Sequence, residues 1–94
     1  MDRVDLLEHV RRLVANGLAA DEVVVADESD AHVGHGGAGG GAHLRVTVVS
    51  AAFAGLAPLA RHRAVHALLA EEMRARIHAL ALVTLTPEEA RARR

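Results

Sequence analysis

Seven histidines and no cysteine define the chemistry this 94-residue chain can offer. Without a thiol it has no disulfide, no sulfur nucleophile and no thiolate ligand, so any metal chemistry rests on imidazole or carboxylate. His32 and His35 form a short His-x-x-His spacing inside a glycine-rich stretch, with six of the eight glycines between Gly34 and Gly41. That stretch has no Gly-Lys-Ser/Thr and leads into a strand, so it does not cradle phosphate. His62 and His66 are one helical turn apart, but no glutamate follows His62 as a zinc-protease pattern requires, and they are assigned to a helix surface or core edge. Ser29 and Ser50 lack the glycines of a nucleophile elbow, and no carboxylate pair stands out as an acid/base couple. Glu71 and Glu72 read as a solvated helix face on which Glu71 can pair with Arg74. An enzyme is therefore not expected.

The elements that must position the histidines follow from periodicity. Asp2 can cap a first helix whose Leu6, Leu7, Val10, Leu13 and Val14 form one apolar stripe, with Asn16-Gly17 as its stop. Glu22 to Ala26, with three successive valines, reads as a first strand. Residues 28 to 42 lose periodicity and form a long glycine-rich loop. His43 to Ser50 alternates as a second strand. Pro58 opens a long helix to about Arg76, with Val65, Leu69 and Met73 facing the core. Ile77 to Leu85, apolar on both faces apart from His78 and Thr84, predicts a strand covered on most of its surface. Thr86-Pro87-Glu88-Glu89 predicts a capping box for a short final helix, with a flexible Arg-rich tail over about 90–94. The order is α-β-β-α-β-α in one domain spanning residues 1–94.

A helical crossover between the second and third strands makes them parallel, so their starting ends share one side of the sheet. His43 opens one, His78 opens the other, and the loop carrying His32 and His35 enters at the same end. The spacing alone also fits plainer roles. His78 reads as a hydrogen-bonded residue at the core rim, His43 as structural, and the loop as a solvated connector.

Composition narrows the partners. Phe53 is the only aromatic residue, which leaves no platform for stacking bases, and a net charge of −1 with no lysine gives no broad field for a polyanion. Arg61, Arg63, Arg74 and Arg76, with Arg91 to Arg94, could still form a local nucleic-acid patch. The acidic start lacks the features of a signal or transit peptide, and no apolar run approaches the ~20 residues of a membrane span. A soluble cytoplasmic protein is expected.

Between Asp27 and Glu89 the chain resembles the BolA family. The likeness is carried by Asp27-Glu28-Ser29, His43-Leu44, Phe53-Ala54-Gly55-Leu56, Arg61-His62-Arg63-Ala64-Val65, Glu71-Glu72 and Ile77-His78-Ala79-Leu80-Ala81-Leu82. The resemblance implies an α+β, class II KH-like fold, a three-stranded mixed sheet with helices packed on one face. It also implies a heterodimer with a monothiol glutaredoxin that shares a [2Fe-2S] cluster, with thiolates from the glutaredoxin and its glutathione and imidazole from this chain. Alone, the chain is expected to be a monomer or weak homodimer. By this resemblance His78 matches the principal ligand and His32 the variable loop ligand, which is Cys or His among relatives. The loop is about two residues longer than usual, and glycines replace its proline-containing segment, which leaves His35 as a rival ligand. His43 supports the site. Some bacterial relatives act in transcription, which makes DNA the alternative partner.

Overall fold

The computed structural model describes residues 1–29 and 41–93. Helix α1 runs Arg3–Leu18, and the Asp2 carboxylate accepts the Asp5 N–H at 2.8 Å, the expected cap. Leu6, Val10 and Val14 are buried along the predicted stripe. The helix runs through Asn16-Gly17 and stops at Ala19, which takes the left-handed conformation (φ 46°). Gly17 has another use: a Cβ there would lie 2.5 Å from the Leu68 side chain, so its absence lets α1 approach the next helix.

Strands β1 (Glu22–Asp27), β2 (Ala42–Val49) and β3 (Ile77–Leu85) form one sheet in the order β1-β2-β3. β1 is antiparallel to β2, and β2 is parallel to β3, as the crossover requires. Leu44, Val46 and Val48 of central β2 are fully or almost fully buried. They join Val10, Val14, Phe53, Val65 and Leu69 in one core, against which Val23, Val25, Leu80 and Leu82 pack. The architecture is α+β, a mixed sheet with its core on the helical face. β3, however, is an outer strand, and only Ile77 and Thr84 of it are buried. The expectation of a mostly covered strand is corrected: on the face away from the core Ala79 is exposed, and Ala81, Val83 and Leu85 are only half-buried.

The crossover is two helices, α2 (Pro58–Leu68) and α3 (Ala70–Ala75), rather than one. No proline or glycine marks the break. At Leu69 the backbone N–H is shared between the carbonyls of Val65 and His66, the bifurcated pattern of a helix end. Leu69 stays fully buried, and α3 carries the chain to the start of β3. His9 of α1 and Glu72 of α3 meet at 2.8 Å and tie this second piece to the first helix.

α4 (Pro87–Ala92) begins with the predicted capping box between Thr86 and Glu89, and its Ala90 is buried, so the Arg-rich end is helical through Ala92. The same Glu89 has a second partner. Arg61 Nη1 and Nη2 donate to its carboxylate at 2.6 and 3.2 Å, Arg61 Nε donates to the Leu56 carbonyl, and Nη1 also reaches the Thr84 carbonyl. The guanidinium lies 5.8 Å from the Phe53 ring centre. With Arg61 only 9% exposed and its donors engaged, its assignment to a nucleic-acid patch is corrected: it fastens α2, β3 and α4 together.

Arg61, helped by the Thr86 N–H, lowers the Glu89 carboxyl from its ordinary value of 4.5 to about 2. A depressed carboxyl stabilises the fold above its unfolded value, and that contribution is lost as pH falls from about 4.5 through about 2. Thermal melts across this window are expected to show falling stability. Glu89→Gln should be less stable than the parent at neutral pH and show a flatter decline on acidification. A decline of unchanged steepness would count against this assignment.

Candidate metal centre

The predicted meeting place lies where parallel β2 and β3 begin. The strands pair Ala42 with Ile77 but His43 with Ala79, so His78 is an extra residue opposite the start of β2. Such a bulge re-aims a side chain. Ile77 enters the core, His78 is exposed, and the His78 ring centre lies 5.0 Å from that of half-buried His43, the planes inclined by 44°. The two imidazoles that sequence reasoning placed at one sheet end are therefore neighbours.

Gly41 fixes the approach to this end. A Cβ on it would lie 2.6 Å from the Arg76 carbonyl oxygen and 3.0 Å from the His78 nitrogen, while the Ala42 N–H donates to that same Arg76 carbonyl at 2.8 Å. Backbone meets backbone, and no flexible side chain can yield. Gly41→Ala is expected to cost ~1–3 kcal/mol in urea unfolding and to shift the His78 ring resonances. Parent-like stability with unmoved resonances would refute the close-approach role.

On the other side, the Glu28 N–H donates to the His43 carbonyl at 2.7 Å, and the His43 N–H donates to Ser29 Oγ at 3.0 Å. Ser29 belongs to a turn in which its own N–H donates to Asp27 Oδ1 at 2.9 Å. The Ser29 hydroxyl and N–H, with the Arg3 guanidinium, hold the Asp27 carboxyl below its ordinary value. Residues 29 and 41, which flank segment 30–40, are thus both fastened beside the histidine pair. His32 and His35 lie outside the described residues.

Among the described residues no three histidine, cysteine or carboxylate side chains group as a metal site. The donor set there is two imidazoles, one of them exposed, which fits a centre completed by ligands from elsewhere. His62 and His66 sit on α2, on the helix surface or its edge as expected. Of the four arginines offered as a nucleic-acid patch, Arg61 is committed internally, and Arg74 is exposed but paired with Glu71 at 2.8 Å. Arg63 and Arg76 are exposed. Sequence reasoning missed the Arg3–Asp27–Ser29 network; its only local signal was the Asp-x-Ser spacing, which favours a side-chain-capped turn.

A mixed three-stranded sheet with an imidazole pair at the mouth of its parallel strands defines a small α+β domain with a histidine-bearing end. The chain matches the family model for BolA-like protein over residues 14–89. Human BolA-like protein 1 is 42% identical over 80 residues, covering 85% of this chain and 57% of the human protein. The DNA-binding transcriptional regulator BolA of Vibrio cholerae is 51% identical over 65 residues, covering 69% of this chain and 59% of that protein. The BolA domain of SufE1 from Arabidopsis thaliana superposes with a TM-score of 0.80 at 34% identity, covering 89% of this chain and 94% of the domain. The chain belongs to the BolA-like family. It spans a little over half the length of the human and Vibrio relatives. No helix among the described residues is long and apolar enough to cross a membrane.

Proposed function

We propose that this protein is a cytoplasmic, non-catalytic adaptor that pairs with a monothiol glutaredoxin and supplies imidazole to a shared [2Fe-2S] cluster, in iron-sulfur trafficking or iron and redox regulation. The observation that carries the reading is the exposed His78, set on a bulge 5.0 Å from His43 where both flanks of segment 30–40 are fastened. His78 is the principal ligand in this reading, His32 the second with His35 as its rival, and His43 orients the site. A chain with no cysteine cannot complete such a centre, so the thiolates come from the glutaredoxin and its glutathione. Mixed imidazole and thiolate ligation raises a cluster's potential above that of all-thiolate ligation. This chain's contribution is to hold imidazole at an accessible sheet end.

The test is to mix the protein with a monothiol glutaredoxin, glutathione, iron and sulfide, and record visible absorption and circular dichroism. A spectrum distinct from that of the glutaredoxin's own cluster supports the reading, and an identical one overturns it. The name of the Vibrio relative favours a second reading, a DNA-binding regulator. It would rest on Arg63, Arg74, Arg76, Arg91 and Arg93, all exposed, and phosphate contacts of that kind predict duplex affinity that falls steeply with salt. Salt-independent affinity would exclude that patch.

A further inference from the structure

Arg3 touches neither histidine, yet a short chain of hydrogen bonds leads from it to one of them. Its Nη1 donates to Ser29 Oγ at 2.7 Å and to the two Asp27 carboxylate oxygens at 3.3 and 3.1 Å. The Ser29 oxygen also accepts the His43 N–H at 3.0 Å, while the Ser29 backbone N–H donates to Asp27 Oδ1 at 2.9 Å. A hydroxyl has two acceptor sites and one proton to give. Both acceptor sites are filled here, one by Arg3 and one by the His43 N–H, so the two donors together fix the Ser29 oxygen.

The consequence falls on His43. Backbone pairing of β1 with β2 ends at Asp27 and Leu44, and beyond it the Glu28 N–H and the Ser29 hydroxyl hold the His43 carbonyl and N–H. A side chain thus does for the first residues of β2 what a strand carbonyl does elsewhere, and it is held from α1. We propose that Arg3 is a positioning residue for the histidine pair, setting His43, and through ring contact His78, by way of Ser29 and Asp27. Arg3 lies outside residues 14–89, so the family's matched core does not supply this control. The proposal deepens the reading of His43 and His78 as the working end of the molecule.

Because one nitrogen makes every contact, a lysine ammonium can replace the guanidinium, whereas methionine cannot. The experiment compares Arg3→Met, Arg3→Lys, Ser29→Ala and, as a control on the same helix, Arg12→Met. Two-dimensional NMR of the free chain follows the His43 amide and the His43 and His78 rings, and visible circular dichroism follows the glutaredoxin complex. Arg3→Met and Ser29→Ala are expected to move all three resonances and weaken the mixed complex several-fold. Arg3→Lys should restore the parent positions, and Arg12→Met should change nothing. Resonances left in place by both Arg3→Met and Ser29→Ala would overturn the proposal, as would equal movement in the Arg12→Met control. Should the parent form no mixed cluster, the adaptor reading fails while the NMR comparison still decides the role of Arg3.

Discussion

His78→Ala is expected to abolish the visible circular dichroism of the mixed glutaredoxin complex while leaving the chain folded. The two halves of this result have separate causes. His78 is exposed on a bulge and contributes nothing to the core, so its truncation should change stability by no more than ~0.5 kcal/mol, as at other surface positions. Its imidazole is the accessible donor of the described pair, and alanine puts no donor in its place. His43→Ala removes a neighbour instead, and should retain the complex with affinity lowered about 10–100-fold, the usual range for a residue that orients a ligand. Separate alanine variants of His32 and His35 then show which one supplies the second donor. An unchanged spectrum for His78→Ala would make the ligand assignment wrong.

Phe53→Ala is expected to have the largest effect on stability, a loss of ~3–5 kcal/mol on urea unfolding. A chain of this length has a total stability of roughly 5–14 kcal/mol, so the variant loses a large share of it and at the low end of that range is at or near unfolding. Phe53 is the only aromatic residue and is fully buried, at the end of a single 3-10 turn over Ala51–Phe53. That turn is itself fixed by buried Ser50, whose hydroxyl donates to the Leu18 carbonyl at 2.7 Å and accepts the Ala52 N–H at 3.1 Å. Removing the ring leaves a void among aliphatic side chains that cannot easily close, and leaves Arg61 without the face it lies over. Phe53→Leu fills most of the void and should cost under ~1.5 kcal/mol. A small loss for the alanine variant would mean that the core closes around the gap.

Much of this architecture is legible in residue order. The valine run at β1, the alternation in β2 and the Thr86-to-Glu89 box each act within a few residues, so local chemistry reveals them. The parallel pairing of β2 with β3, and with it the meeting of His43 and His78, follows from one helical crossover. What escapes is decided across the chain. Nothing near Arg61 shows that its guanidinium will be covered by a carboxylate 28 residues later, so in sequence it looks like any surface arginine. Gly17 looks like a helix stop because the Leu68 side chain packed against it lies far away in sequence. The apolar run of β3 suggests burial on both faces, yet strand order makes it an edge. Ser29 gave no sign of its bond to the start of β2, because that bond spans 14 positions.

The position of Arg61 has one more consequence. The Leu85 carbonyl accepts from Ser50 on the β2 side, so the Thr84 carbonyl, one residue earlier, points away from the sheet, where the guanidinium takes it. At the opposite end of the same strand, the bulge at His78 breaks the regular spacing that a neighbouring strand would need. A long, apolar, uncharged outer strand is an invitation to add strands from other molecules. Here both ends decline it, one by occupied hydrogen bonding and the other by irregular geometry. The internal clasp and the histidine bulge therefore also make the outer edge of β3 a poor template for a further strand.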